Sequence, residues 1–251
     1  MPMTTNVTPF TRRTRIRRLT TALWLLAGGA LLLTSGCATW RVRESVALAQ
    51  RSEPWQQHPA DATLRLLVVG DSTGVGTGAT TPQCSLAGLI GQARPRWWID
   101  NRARDGAKFA DLVGQLGGDQ QFDIVLVQAG GNDVIRLRGL DAMREDIERV
   151  ADLARQRGKT VIWMPAGNLG NVAFFSPPLS WWMGQRSRGM HAAVRNAAAR
   201  TGAIYVKLFH ERDDDPFVRD KTLSASDGLH PSDAGYRLWW GTLAAHLPSA
   251  S

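Results

Sequence analysis

From Leu64 onward the chain alternates between two hydrophobic periodicities. Apolar, often β-branched runs at 64–69, 97–101, 122–129, 160–166 and 203–209 read as strands. Their near-continuous apolarity is that of strands buried on both faces. Stretches near 85–94, 108–117, 141–157, 179–201 and 232–247 carry helical spacing. In 141–157, with Leu140 just ahead, Met143, Ile147, Val150 and Ala154 form one apolar stripe, and Arg144, Glu145 and Arg149 cover the opposite face. Five strands, each followed by a helix, predict an α/β fold: a three-layer α/β/α sandwich with a five-stranded parallel sheet, spanning 63–251 as one domain. Ligands of such sheets bind at the carboxyl ends of the strands. Polar clusters fall there, at Gly70-Asp71-Ser72, at Asn101 through Gly106 and at Gly130-Gly131-Asn132-Asp133.

The residues ahead of Leu64 follow neither period. Residues 1–36 have the pattern of a signal peptide: an Arg-rich start, an apolar run from Ala22 to Leu33, then small residues up to Cys37. Leu33-Thr34-Ser35-Gly36-Cys37 resembles a bacterial lipobox with Thr34 in place of the commoner Leu, which makes Cys37 a candidate for lipidation. Cleavage after Ala38, giving a secreted soluble protein, and an uncleaved anchor over the uncharged stretch Leu19 to Trp40 are the alternatives. All three deliver the rest of the chain outside the cytoplasm, to the cell envelope or periplasmic side. Residues 37–62, with Pro54 and Pro59, read as a tether holding a short helix near 43–51.

Charge adds less than its total suggests. Five arginines of the leader account for five of the formal +8, so the remainder carries +3, and no basic stripe interleaves with aromatics. Nucleic acid is therefore not an expected partner. With only Cys37 and Cys84 present, lipidation of Cys37 leaves no intramolecular disulfide, and the fold rests on its core.

The first strand ends in Gly70-Asp71-Ser72-Thr73-Gly74, which matches G-x-S-x-G. The α/β-hydrolase elbow of that pattern has several strands ahead of it, and here there is room for none. Gly74-Val75-Gly76-Thr77-Gly78, with Asp100 downstream, imitates a dinucleotide loop. The turn begins four residues too early, however, and Pro82 interrupts the helix that should come next. A third use of the stretch is Ser72 as a nucleophile. A serine hydroxyl needs a base within hydrogen-bond reach, and histidine suits neutral pH. His58 lies in the tether, His191 in a helix and His246 near the C-terminus, so His210 and His230 compete. His230 is favoured because Asp227 precedes it by three residues in a glycine-containing loop, with Pro231 placed to open the final helix. Asp227 as a mere cap of that helix is the alternative.

Taken in order, Gly70-Asp71-Ser72, Asn101…Gly106, Gly130-Gly131-Asn132-Asp133 and Asp227-Gly228-Leu229-His230-Pro231 resemble the four blocks of the SGNH/GDSL hydrolase family over 64–247. Thr73 departs from the Leu of the family name, and Arg102, Arg104 and Asp105 add charge to the second block. The resemblance implies a flavodoxin-like SGNH hydrolase fold and cleavage of carboxylic esters through an acyl-enzyme. It assigns Ser72, Asp227 and His230 as the catalytic triad. The backbone N–H groups of Ser72 and Gly106 and the Asn132 amide become the oxyanion hole. Neither a cofactor nor a metal is expected, and Asp71 and Asp133 read as loop-shapers. Phe175 and Trp181, in an aromatic stretch after the fourth strand, are expected to wall an acyl-chain site. The substrate would be a small-molecule, lipid or glycan ester. An envelope polysaccharide deacetylase or acyltransferase using the same site, and a tethered binding module without chemistry, are the alternatives. Oligomeric state is not legible.

Overall fold

The computed structural model describes residues 39–248; the leader, the lipobox and Cys37 lie outside them. The chain divides into two compact units, residues 1–43 and 44–251. Of the first, residues 39–43 are described and are helical. Among the described residues no helix is long and apolar enough to cross a membrane.

The second unit opens with a helix over 44–51 (α1) and continues into a sheet of five parallel strands. These are β1 (Leu64–Gly70), β2 (Trp97–Asn101), β3 (Phe122–Gln128), β4 (Gly158–Trp163) and β5 (Ile204–Tyr205). Their order is β2-β1-β3-β4-β5, so the winding direction reverses between β1 and β3, where a crevice opens at the strand ends. Each central strand feeds both faces. Leu67 and Val69 pack with Val125, Val127 and Trp163 against α4 (Phe109–Gln115), α6 (Leu140–Arg157) and α7 (Leu179–Thr201). Leu66 and Val68 pack with Ile124, Leu126 and Ile162 against α3 (Leu86–Ala93) and α9 (Asp233–Ala244). Burial on both faces is why these strands read as unbroken apolar runs.

One expectation is corrected. The fifth strand, expected over 203–209, has only two ladder residues. Val206 still donates to the Trp163 carbonyl at 2.8 Å, and Val206, Leu208 and Phe209 are buried, so the core explains their apolarity without a ladder. The segment expected as a tether packs on the sheet through Trp55–His58. Gln57 and Ile99 exchange backbone hydrogen bonds of 3.1 and 2.7 Å, while the Gln56 side chain bonds both the N–H and the C=O of Asn101. Trp55 packs on the α3/α9 side of the core, and His58 stacks on Trp98 with ring centroids 4.2 Å apart. This segment covers the free edge of β2, which would otherwise present unpaired backbone groups.

Candidate active site

The turn after β1 is held by a close approach. A methyl group on Gly70 would lie 1.9 Å from the Gln128 carbonyl oxygen, so only glycine passes the end of β3 at this distance. Asp71 N–H donates to that carbonyl at 2.8 Å, and Asp71 caps the short helix α2 (Ser72–Val75) by accepting from Thr73 N–H at 3.0 Å. The fully buried Asp71 carboxyl is pushed up by desolvation, partly offset by its Thr73 hydrogen bonds.

The glycines that imitate a dinucleotide loop are packing points. A Cβ at Gly74 would sit 2.8 Å from Ala103, and one at Gly78, where φ is +96°, would sit 2.3 Å from the Pro231 carbonyl oxygen. Gly78 thus lets the histidine loop cross the first turn. Tyr236, from α9, ties the two together by donating to the Thr77 carbonyl at 2.9 Å.

Ser72 Oγ lies 3.0 Å from His230 Nε2, and His230 Nδ1 lies 2.6 Å from Asp227 Oδ2. Asp227 Oδ1 also accepts the N–H groups of Leu229 at 2.9 Å and His230 at 3.1 Å. Burial pushes the Asp227 carboxyl up, but the His230 ring and these two donors outweigh it and hold it below the usual range. Helix α9 is capped by Ser232, so neither Asp227 nor Pro231 opens it. His210, the rival base, lines the same cleft but bonds neither Ser72 nor Asp227.

The cleft has a volume of about 600 Å³ and brings Ser72, Gly106, Asn132 and His230 together. Gly106 has φ of +76°, and a Cβ there would come 3.0 Å from the Arg136 guanidinium. Asn101 orders the second block, donating to the Gly74 carbonyl at 2.9 Å and accepting from Ala103 N–H at 3.1 Å. Asp133, on the short helix α5 (Gly131–Ile135), is buried and accepts Phe109 N–H at 3.0 Å. Desolvation, with the nearby Asp71 and Asp146 carboxylates, raises it to about 6, against the Phe109 bond and Arg138. His191 is a core residue: its ring lies 2.7 Å from both the Tyr205 hydroxyl and the Ala166 carbonyl, and burial lowers it to about 4. Among the described residues no cluster of His, Cys, Asp or Glu is arranged to hold a metal ion.

Phe175 and Trp181 do not line the cleft. Phe175 packs against the core, and Trp181 is 70% exposed. The cause is helical phase: Ser180, Met183, Ser187 and Met190 take the buried face of α7, which turns Trp181 and Trp182 outward.

Two contributors escape sequence reasoning. The buried Gln115 carboxamide accepts Gly70 N–H at 2.7 Å and donates to Gly70 C=O at 2.9 Å, clamping the backbone ahead of the Ser72 turn. Its signal is a glutamine in the buried stripe of Phe109 and Leu112. Helix α1 also lines the cleft, through Ser45, Val46 and Ala49.

The profile of the GDSL-like lipase/acylhydrolase family matches residues 68–238. No curated protein matches the chain significantly. Among solved structures, a member of the lipolytic protein G-D-S-L family from Veillonella parvula DSM 2008 superposes with TM-score 0.58 at 14% identity, covering 72% of this chain and 96% of its own. Phospholipase A1 from Streptomyces albidoflavus NA297 gives 0.58 at 16%, covering 74% and 100%. Axe2, an acetylxylan esterase from Geobacillus stearothermophilus, gives 0.54 at 21%, covering 73% and 94%. At these identities the likeness is one of fold.

Gln115→Leu leaves the buried Gly70 N–H without its acceptor. Chemical denaturation should register a loss of about 1–3 kcal/mol, and on any turned-over ester kcat should fall more than KM changes. An unaltered kcat would remove the clamp's role in positioning.

Asp133 binds its proton more tightly folded than unfolded, so its contribution to stability declines as pH rises from about 3.8 to about 6. His191 acts oppositely, its contribution rising between about 4 and 6.5. The stability of Asp133→Asn minus that of the unsubstituted protein isolates the first effect. That difference should climb with pH across the window by on the order of 2–3 kcal/mol; a flat difference contradicts the assignment.

Proposed function

Because the chain belongs to the GDSL-like lipase/acylhydrolase family and is a hydrolase of ester bonds, we propose that it cleaves carboxylic esters through a Ser72–His230–Asp227 triad and an acyl-enzyme. The observation that carries this is the continuous chain of contacts from Ser72 Oγ to His230 Nε2 and from His230 Nδ1 to Asp227, opening on the cleft.

The geometry supports each role. His230, with Nδ1–H donated to Asp227, presents Nε2 as the acceptor for the Ser72 proton when Oγ attacks the ester carbon. Asp227, kept ionised by its three donors, orients the ring and stabilises the imidazolium that forms. The tetrahedral oxyanion is held by the N–H groups of Ser72 and Gly106 and by the Asn132 amide. Asn132 suits the task as a neutral donor that lines the cleft beside Ser72. His230 then returns the proton to the leaving alcohol, and water, activated by the same ring, releases the acid and restores Ser72.

The names of the structural neighbours span phospholipase and acetylxylan esterase, so lipid and acetylated glycan esters both belong in the test. Fluorophosphonate labelling and p-nitrophenyl ester turnover should both disappear in Ser72→Ala, and turnover should collapse in His230→Ala. Asn132→Ala should lose about 10²–10³ in kcat, the typical value of one oxyanion donor. A chain that neither labels nor turns over any ester is the tethered binding module instead. Preference for acetylated polysaccharide over simple esters identifies the deacetylase or acyltransferase variant.

The leader supports a location on the outer side of the cytoplasmic membrane, with Cys37 as the lipidated first residue of the mature chain. Cys37→Ala should then move the protein out of the lipid-modified, membrane-bound fraction. Unchanged membrane retention favours the uncleaved anchor, and a soluble unsubstituted protein favours cleavage after Ala38.

A further inference from the structure

The cavity that holds Ser72 and His230 does not end at the four motif blocks. Val46 and Ala49 from α1 line it, as do Phe217, Leu238 and Trp239. Phe217 belongs to a short helix (α8, Pro216–Arg219), and its ring lies 6.0 Å from that of Trp239. Helix α1 precedes residue 68, where the family match begins, so its part of the cavity wall is supplied from outside the matched region.

We propose that this surface is the acyl-chain site, and that the substrate of the Ser72 centre is an ester of a medium- or long-chain fatty acid. The inference rests on the ester-hydrolase reading and adds the substrate class.

Three observations carry it. The apolar residues share one cavity of about 600 Å³ with the reacting groups, so an acyl chain attached at Ser72 has space to extend along them. Val46 is 51% and Leu238 39% exposed although both line the cavity. An acetyl group is too short to cover such a surface, whereas a longer chain buries it and gains binding from each methylene. Finally, α1 is fixed and not merely adjacent. Ser226 Oγ donates to Glu44 Oε1 at 2.6 Å near its start, and Trp55 and Gln57 dock the chain just beyond its end. A wall held at both ends can discriminate chain length. Trp181, expected to form this wall, lies outside the cavity.

The test is a chain-length series from p-nitrophenyl acetate to decanoate, on the full-length protein and on Ala49→Trp and Val46→Asp. Two variants are used so that a folding defect in one leaves the other informative; neither residue belongs to the packed core. For the unsubstituted protein kcat/KM should rise about fourfold per methylene until the cavity is filled. The octanoate-to-acetate ratio should drop at least tenfold in both variants. A profile flat with chain length, or a ratio within twofold of the unsubstituted protein in both variants, overturns the proposal while leaving ester hydrolysis standing. Absence of Ser72-dependent turnover on every ester overturns the hydrolase reading, and this proposal with it.

Discussion

The backbone of Gly70 passes the Gln128 carbonyl too closely for any side chain, and the geometry of the site depends on that passage. Gly70 and Gln128 are the last paired residues of β1 and β3. Immediately beyond them the chain turns, with Asp71 bonded back to β3 and Gln115 holding both the N–H and the C=O of Gly70. The strands behind this turn are buried on both faces and cannot shift without opening two cores. Ser72 is therefore presented from a rigid edge at the reversal of strand order. Gly78 repeats the device, letting the His230 loop cross the turn closely enough for a 3.0 Å contact with Ser72.

Around this frame, three buried carboxyl groups are driven in different directions. Asp227 has three donors and stays ionised beside the imidazole. Desolvation raises Asp71 and Asp133 against their hydrogen-bond donors, and the nearby Asp71 carboxylate raises Asp133 further. The same pair also tightens the loops, since Asp71 fixes the start of α2 and Asp133 fixes the start of α4.

The segment just ahead of β1 does more than connect. Gln56 and Gln57 complete the open edge of β2 with strand-like hydrogen bonds. The same docking holds the C-terminal end of α1, so covering a sheet edge also places a helix along the cleft that holds Ser72 and His230. An element with little core of its own becomes part of the site because its neighbour in sequence is anchored.

The sheet, its parallel sense and the five helices that come after its strands were legible from periodicity, because burial on both faces writes an unbroken apolar run into a strand. The length of β5 was not, since Val206, Leu208 and Phe209 are apolar for the core and not for a ladder. The blocks around Ser72, Asn132 and Asp227–His230 stand out in the sequence through their resemblance to the family's motifs, each following an apolar run or holding a glycine that permits a turn. Tertiary structure alone brings Ser72 within 3.0 Å of His230, across 158 residues, and sets Asn132 in the same cleft. It alone made Gln115 a clamp, turned Trp181 to solvent and gave Val46 and Ala49 a place in the cleft. Sequence pattern records what a residue needs from its own element, a buried stripe or a permitted backbone angle. Which side of the cleft a helix lands on is set by packing between elements far apart in the chain, and that leaves no local mark.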